Sequence, residues 1–205
     1  LSADAEKVRH PNRRGNVATW LPNILTYLRI VAVPVVVGLL IYGGDTNHWI
    51  ALAVFIIAAI TDFFDGYLAR IWQQQSSLGR MLDPIADKLL IASVLLAVTY
   101  TGEIKGVHIW AAIIILCREI LVSGLREFLA ELRVSVPVTQ LAKWKTTFQM
   151  IAIAFLIVGP AGDKLFNHTS TIGLTFLWIA AVATLYTGFD YFRVGVKHVM
   201  EEDEK

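Results

Sequence analysis

WIALAVFIIAAITDFFDGYLAR, residues 49–70, decides how this chain is organised. Twelve consecutive apolar side chains, from Trp49 to Ile60, run into Asp62 and Asp65, and a basic residue, Arg70, closes the stretch. A segment of this length and apolarity satisfies its own backbone as a helix across a bilayer, which takes roughly 20 residues. Acids at one end of such a helix are costly in lipid, so they mark a polar site near one membrane face.

Working outward, five more stretches of the same kind appear, giving six expected spans: Leu21 to Tyr42, Trp49 to Leu68, Pro84 to Tyr100, Val107 to Leu129, Leu141 to Val158 and Ile172 to Phe192. Breakers fall between them at Gly43, Gly44 and Asp45, at Gly102 and Gly106, at Pro137, and from Gly159 to Gly162 around Pro160. With 56% hydrophobic residues and a positive mean hydropathy, the 205-residue chain is expected to be an all-α integral membrane protein with six transmembrane helices. The expected organisation is a basic juxtamembrane segment at 1–20, a six-helix catalytic domain at 21–195 and an acidic tail at 196–205. No short apolar core with a cleavage site follows the basic N-terminal residues, so no cleavable signal is expected there.

Net charge is only +1, which excludes the broad positive field that gathers nucleic acid. Position matters more than total. The connections after the first, third and fifth spans hold only Lys105 and Lys164, whereas the other side holds nearly all the remaining Lys and Arg. The positive-inside rule then puts both termini, and the acids with them, on the cytoplasmic side of a cell inner membrane. Trp20, Trp49, Trp110 and Trp144 fall near span ends, where interfacial aromatics belong. The single cysteine, Cys117, rules out an internal disulfide and is expected to fill space within a helix.

The third span opens with Gly79, Asp83, Pro84 and Asp87, so four acids stand on two consecutive helices. Asp62 and Asp65 are three residues apart, and Asp83 and Asp87 four apart, so each pair shares a helix face. A short connection is expected to make these helices antiparallel neighbours. Four carboxylates converging where water is scarce need compensating charge. Oxygen ligands without His or Cys favour hard divalent ions, and Mg²⁺ or Mn²⁺, two ions together, is the expectation. Such sites commonly serve phosphoryl chemistry. Gly66, Ala69 and Gly79 keep the surroundings of the acids small, which suits either a ligand or plain helix packing.

Asp62-x-x-Asp65-Gly66-x-x-Ala69-Arg70, eight residues, then Gly79-x-x-x-Asp83-x-x-x-Asp87, resembles the signature of the CDP-alcohol phosphatidyltransferase family at every fixed position. The resemblance implies the fold of that family and a reaction in which an acceptor hydroxyl attacks the β-phosphorus of a CDP-linked alcohol and expels CMP. It implies that Asp62, Asp65, Asp83 and Asp87 hold the metal pair, with Asp87 also the catalytic base. Gly66, Ala69, Arg70 and Gly79 would line the nucleotide pocket with Asp62, and Asn23-x-x-Thr26-x-x-Arg29 resembles a family feature near the donor phosphates.

The fourth span carries Arg118, Glu119, Ser123, Arg126 and Glu127, which must face the interior or a wet cavity. Glu119 and Arg126, seven apart, are nearly aligned and suit a mutual ion pair. Arg118 with Lys143 and Lys145 makes a cationic cluster suited to an acceptor that bears a phosphate, although Lys143 and Lys145 point to nearly opposite sides of a helix. The stretches 118–127 and 143–150 resemble the bacterial branch of the family that makes phosphatidylglycerophosphate. This implies CDP-diacylglycerol as donor, sn-glycerol 3-phosphate as acceptor with Arg118, Arg126, Lys143 and Lys145 about its phosphate, and a homodimer. A sibling acting on another acceptor, phosphatidylglycerol to give cardiolipin or an inositol phosphate, is the alternative. A cation transporter fits poorly, because the acids gather at one face instead of forming a path.

Overall fold

The computed structural model describes residues 16–72, 77–131 and 140–203, with side chains described except at 16–23, 63–72, 77–80, 83, 131, 140, 142–143, 190 and 194–203. Six long helices follow one another: α1 (Asn16–Tyr42), α2 (Asp45–Trp72), α3 (Ser77–Tyr100), α4 (Ile109–Glu131), α5 (Gln140–Asp163) and α6 (Thr169–Asp203), with a 3₁₀ turn at Gly106–His108. The chain is all-helical among the described residues, as the hydropathy requires. Four segments are long and apolar enough to cross a membrane by length and composition, namely Ile24–Tyr42, Gly106–Ala130, Trp144–Asp163 and Thr169–Arg193. The helices α2 and α3 are of similar length but carry the acids within them. The expected six spans therefore find six helices, of which four meet that criterion.

The surface is apolar in the way a bilayer demands. Leu28, Val31, Ile57, Leu96, Ile120, Val182 and Phe189 all point outward. Between the helices lie small residues, Ala51, Ala58, Ala97, Ala111, Ala112, Ala152, Ala180 and Ala181, with Leu40, Phe55, Leu90, Leu95, Ile115, Ile153 and Leu177 filling the gaps. Helices in lipid gain little from hiding apolar surface, so close backbone approach over small residues supplies the packing energy. Trp49, Trp110 and Trp144 stand exposed within the first turns of their helices, as interfacial anchors do. Cys117 is also exposed, on the α4 surface facing α6, so it is not buried filler.

Two breakers act differently from expectation. Gly43 and Gly44 do end α1, with left-handed φ of 74° and 92°, and Asp45 opens α2 directly. Gly159 and Pro160, expected to end the fifth span, instead kink α5, which continues to Asp163. Gly159 sits at φ 33°, ψ −117°, a conformation reserved for glycine, and a Cβ there would lie 2.6 Å from the Glu103 carboxylate. At the kink the Ile157 carbonyl accepts a hydrogen bond from His48 Nδ1 at 2.6 Å. Burial holds the nearby Glu103 carboxyl above the ordinary range, opposed by His48. Gly159→Ala is expected to cost about 2 kcal/mol or more through backbone strain and contact with Glu103, seen as a lower midpoint of thermal unfolding in detergent.

The helices form an open ring. α1 packs on both α2 and α3, α2 on α5, α5 on α6, and α6 on α4, whereas α3 meets α4 and α5 only lightly. α2 and α3, expected to be antiparallel neighbours, both pack on α1, and close contacts between the two are few among the described residues. α1 brings a cation, Arg29, to the acids, as described below. Cavities toward the acids lie along two seams, one between α2 and α5 and one between α3 and α4.

Candidate active site

The acids do not sit at helix ends as expected. α2 continues to Trp72 and α3 begins at Ser77, so Asp62 and Asp87 lie about 15 Å along the helix axis from those ends. All the polar residues of interest share this half of the bundle: the first part of α1, the last part of α2, the first part of α3, the last parts of α4 and α6, and the first part of α5.

Arg29 on α1 is fully buried, and its Nη2 donates to Asp62 Oδ1 at 2.6 Å. Thr26, one turn earlier on the same face, is also buried. A buried guanidinium needs a carboxylate partner, and a carboxylate facing lipid depth needs a cation, so the pair resolves two costs together. Arg29, Asp62 and Asp87 line one cavity of about 650 Å³ whose remaining wall is largely apolar: Phe55, Ile56, Ala58, Leu90, Met150 and Ala154. Along the same α2–α5 seam lies a second cavity of about 450 Å³, sharing Ile56 and Ala154 and lined by Trp49, Leu52 and Phe155. The two make a groove with a charged head and an apolar length, running away from the acids.

Across Asp87, in the α3–α4 seam, is a cavity of about 310 Å³ lined by Asp87, Lys88, Arg118, Glu119, Ser123, Arg126, Lys145 and Thr146 among others. Its charges are interlocked. Lys145, buried on α5, donates to Glu119, which Arg118 Nη1 also approaches at 3.4 Å. Arg118 Nη2 donates to Thr187 Oγ1 at 3.0 Å. Arg118 and Arg126 both stand over the Tyr191 ring, at 5.9 Å and 5.5 Å from its centre, and Arg126 Nη2 donates to the Tyr191 hydroxyl at 3.3 Å. Lys88 reaches Ser123 across the seam. The expected Glu119–Arg126 pair is therefore replaced: Lys145 and Arg118 take Glu119, and Tyr191 takes Arg126. Tyr191 relieves the repulsion of two like charges by offering its ring face to both.

The contribution of α6 was missed in the sequence. Thr184, Thr187 and Tyr191 recur at helical spacing on one face and are all buried, and that spacing of polar groups in an apolar span was the available signal. Gly188 on the same helix lets the Arg118 stem lie against the backbone, since a Cβ there would meet Arg118 Cγ at 2.9 Å.

Of the expected site residues, Arg29, Asp62, Asp87, Arg118, Arg126 and Lys145 line these two cavities, and Thr26 is buried one turn from Arg29 on α1. The side chains of Asn23, Asp65, Gly66, Ala69, Arg70, Gly79, Asp83 and Lys143 lie outside the described residues. Among the described residues no three His, Cys, Asp or Glu gather as a metal site, with only Asp62 and Asp87 of the four acids counted. What is described fits a hard cation: two carboxylates face one cavity roomy enough for an ion with phosphate.

Known proteins are similar to this chain in sequence along most of its length. The family profile described as CDP-alcohol phosphatidyltransferase matches residues 19–186. A protein of Cereibacter sphaeroides named CDP-diacylglycerol–glycerol-3-phosphate 3-phosphatidyltransferase is 40% identical over 216 residues, covering 89% of this chain and 98% of the relative. A protein of the same name from Rickettsia bellii is 43% identical over 178 residues, covering 87% and 96%. Another, from Shigella flexneri, is 36% identical over 184 residues, covering 89% and 98%. The eight-position acid signature, the cavities that meet at Asp87 and these matches agree, and the chain belongs to the CDP-alcohol phosphatidyltransferase family.

Proposed function

We propose that this protein transfers the phosphatidyl group of CDP-diacylglycerol to sn-glycerol 3-phosphate, giving phosphatidylglycerophosphate and CMP. One observation carries the reading: Asp87 lines both the α2–α5 cavity, with Arg29 and Asp62, and the α3–α4 cavity, with Arg118, Arg126 and Lys145. A transferase joining two substrates needs one carboxylate at their meeting point.

The donor occupies the α2–α5 groove, its acyl chains along Trp49, Leu52, Ile56 and Phe155 and its diphosphate at the charged head. Arg29, fixed by Asp62, meets phosphate charge there, and Asn23, Thr26, Gly66, Ala69, Arg70 and Gly79 complete the nucleotide end by family resemblance. Asp62, Asp65, Asp83 and Asp87 would hold two Mg²⁺ or Mn²⁺ ions, which when bound screen the diphosphate and acidify the acceptor hydroxyl. The acceptor phosphate lies among Arg118, Arg126 and Lys145, with Lys143 nearby in sequence. Asp87 takes the proton as the primary hydroxyl oxygen bonds to the β-phosphorus and the bond to CMP breaks. Both termini and the site face the cytoplasm of a bacterial inner membrane, following the one-sided Lys and Arg distribution, and the protein works as the homodimer its resemblance implies.

Two buried cations, Arg118 and Lys145, with Arg126 beside them on the acceptor cavity, favour this reading over neutral-acceptor siblings. The test offers purified protein CDP-diacylglycerol with glycerol 3-phosphate, glycerol, an inositol phosphate or phosphatidylglycerol, and follows CMP release with Mg²⁺ or with chelator. Release is expected only with glycerol 3-phosphate and only with the divalent ion. Turnover with phosphatidylglycerol or inositol phosphate instead would move the protein to a sibling activity.

A further inference from the structure

Below the acceptor cavity lies a recess of about 80 Å³, walled by Asp87, Lys88, Glu119, Thr146 and Gln149 above an apolar floor. Four of these residues, Asp87, Lys88, Glu119 and Thr146, also line the acceptor cavity, so the recess opens from it. Gln149 belongs to the recess alone. It stands one turn beyond Lys145 on the same face of α5, is 4% exposed, and its Oε1 accepts no hydrogen bond from the described residues.

A buried amide oxygen without a donor is disfavoured, and native structures rarely keep one unless a ligand or water supplies the hydrogen. The surroundings do not supply it. Asp87 and Glu119 are acceptors when ionised, Lys88 is turned to Ser123 and the Pro84 carbonyl, and the Thr146 hydroxyl, also in the wall, makes no bond to Oε1. Phosphate is excluded too, because it would bring acceptor oxygens against an acceptor. The missing partner is an O–H donor small enough for the recess.

With the acceptor phosphate at Arg118, Arg126 and Lys145 and its primary hydroxyl at Asp87, the group left over is the secondary hydroxyl on the carbon between them. We infer that Gln149 Oε1 accepts a hydrogen bond from this non-reacting hydroxyl, which makes Gln149 the residue that selects a phosphorylated vicinal diol over a simple hydroxyalkyl phosphate. The inference rests on the acceptor reading above and narrows it to a substrate feature. A site built to bond a hydroxyl discriminates strongly against an analogue without it, because the buried partner is left unpaired.

The experiment compares glycerol 3-phosphate with 3-hydroxypropyl phosphate, which keeps the primary hydroxyl and the phosphate and lacks the secondary hydroxyl. CMP release by the intact protein in detergent with CDP-diacylglycerol gives kcat/KM for each. The unmodified protein is expected to favour glycerol 3-phosphate by about 10- to 100-fold. Gln149→Met, similar in shape but without the acceptor, is expected to lose most of that on glycerol 3-phosphate and little on the analogue, leaving the two within about threefold. Gln149→Asn, which keeps the amide but withdraws it, serves where the Met variant does not elute as folded protein, and it is expected to narrow the ratio as well. Equal use of both acceptors by the unmodified protein overturns the inference. So does an equal loss on both acceptors in the variants, the signature of packing or of a bound water. Release with neither phosphate but with a neutral or lipid acceptor overturns the acceptor reading itself, and the panel separates that from failure at Gln149.

Discussion

Asp87→Asn is expected to lower CMP release by about 10³-fold or more while leaving CDP-diacylglycerol binding within a few fold of the parent. Asparagine keeps the size and shape of the side chain but cannot take a proton. Asp87 stands where the donor cavity, the acceptor cavity and the inner recess meet, so no other described carboxylate reaches both substrates' chambers in the same way. Glu119 lines the acceptor side only and is engaged by Lys145 and Arg118. The donor's anchor is largely separate. Arg29 and Asp62 hold each other on α1 and α2, and the apolar groove lies along α2 and α5. Single-turnover CMP release alongside equilibrium binding of a labelled donor checks the split. Loss of binding in parallel with turnover would make Asp87 a ligand of the metal pair and not the base.

The hydropathy, the helix count and the acid signature were all legible in the chain, because each rests on local spacing. Lipid imposes length on a helix, and a 3.6-residue period puts Asp62 and Asp65, or Asp83 and Asp87, on common faces whatever surrounds them. What spacing could not reveal is which helix stands between which. Arg29 and Asp62 are partners because α1 packs along α2, a choice made by packing across the whole bundle. The same holds for Glu119: two cations far apart in sequence, Arg118 beside it and Lys145 from α5, outcompete the aligned Arg126. Gly159 and Pro160 read as an end and act as a kink, since His48 and Glu103 from other segments accept the altered backbone. Local rules thus gave the parts of the site, and tertiary packing decided their pairing.

Arg118→Ala is expected to raise the KM for glycerol 3-phosphate by about 100-fold, with the KM for CDP-diacylglycerol changed by less than about threefold. Arg118 is buried against Gly188, hydrogen-bonded to Thr187 and stacked over Tyr191, so its guanidinium is held without the freedom a surface arginine keeps. A pre-positioned cation in a partly dry cavity binds phosphate more strongly than one that must first be ordered and desolvated. Its removal also leaves Glu119 balanced by Lys145 alone, which draws the lysine away from an incoming anion. The donor groove has no share in this cluster, because Arg118 belongs to the α3–α4 cavity and not to the α2–α5 one. Initial rates over a grid of both substrate concentrations separate the two constants. An equal rise in both would mean that Arg118 holds the bundle together and that the acceptor phosphate sits elsewhere.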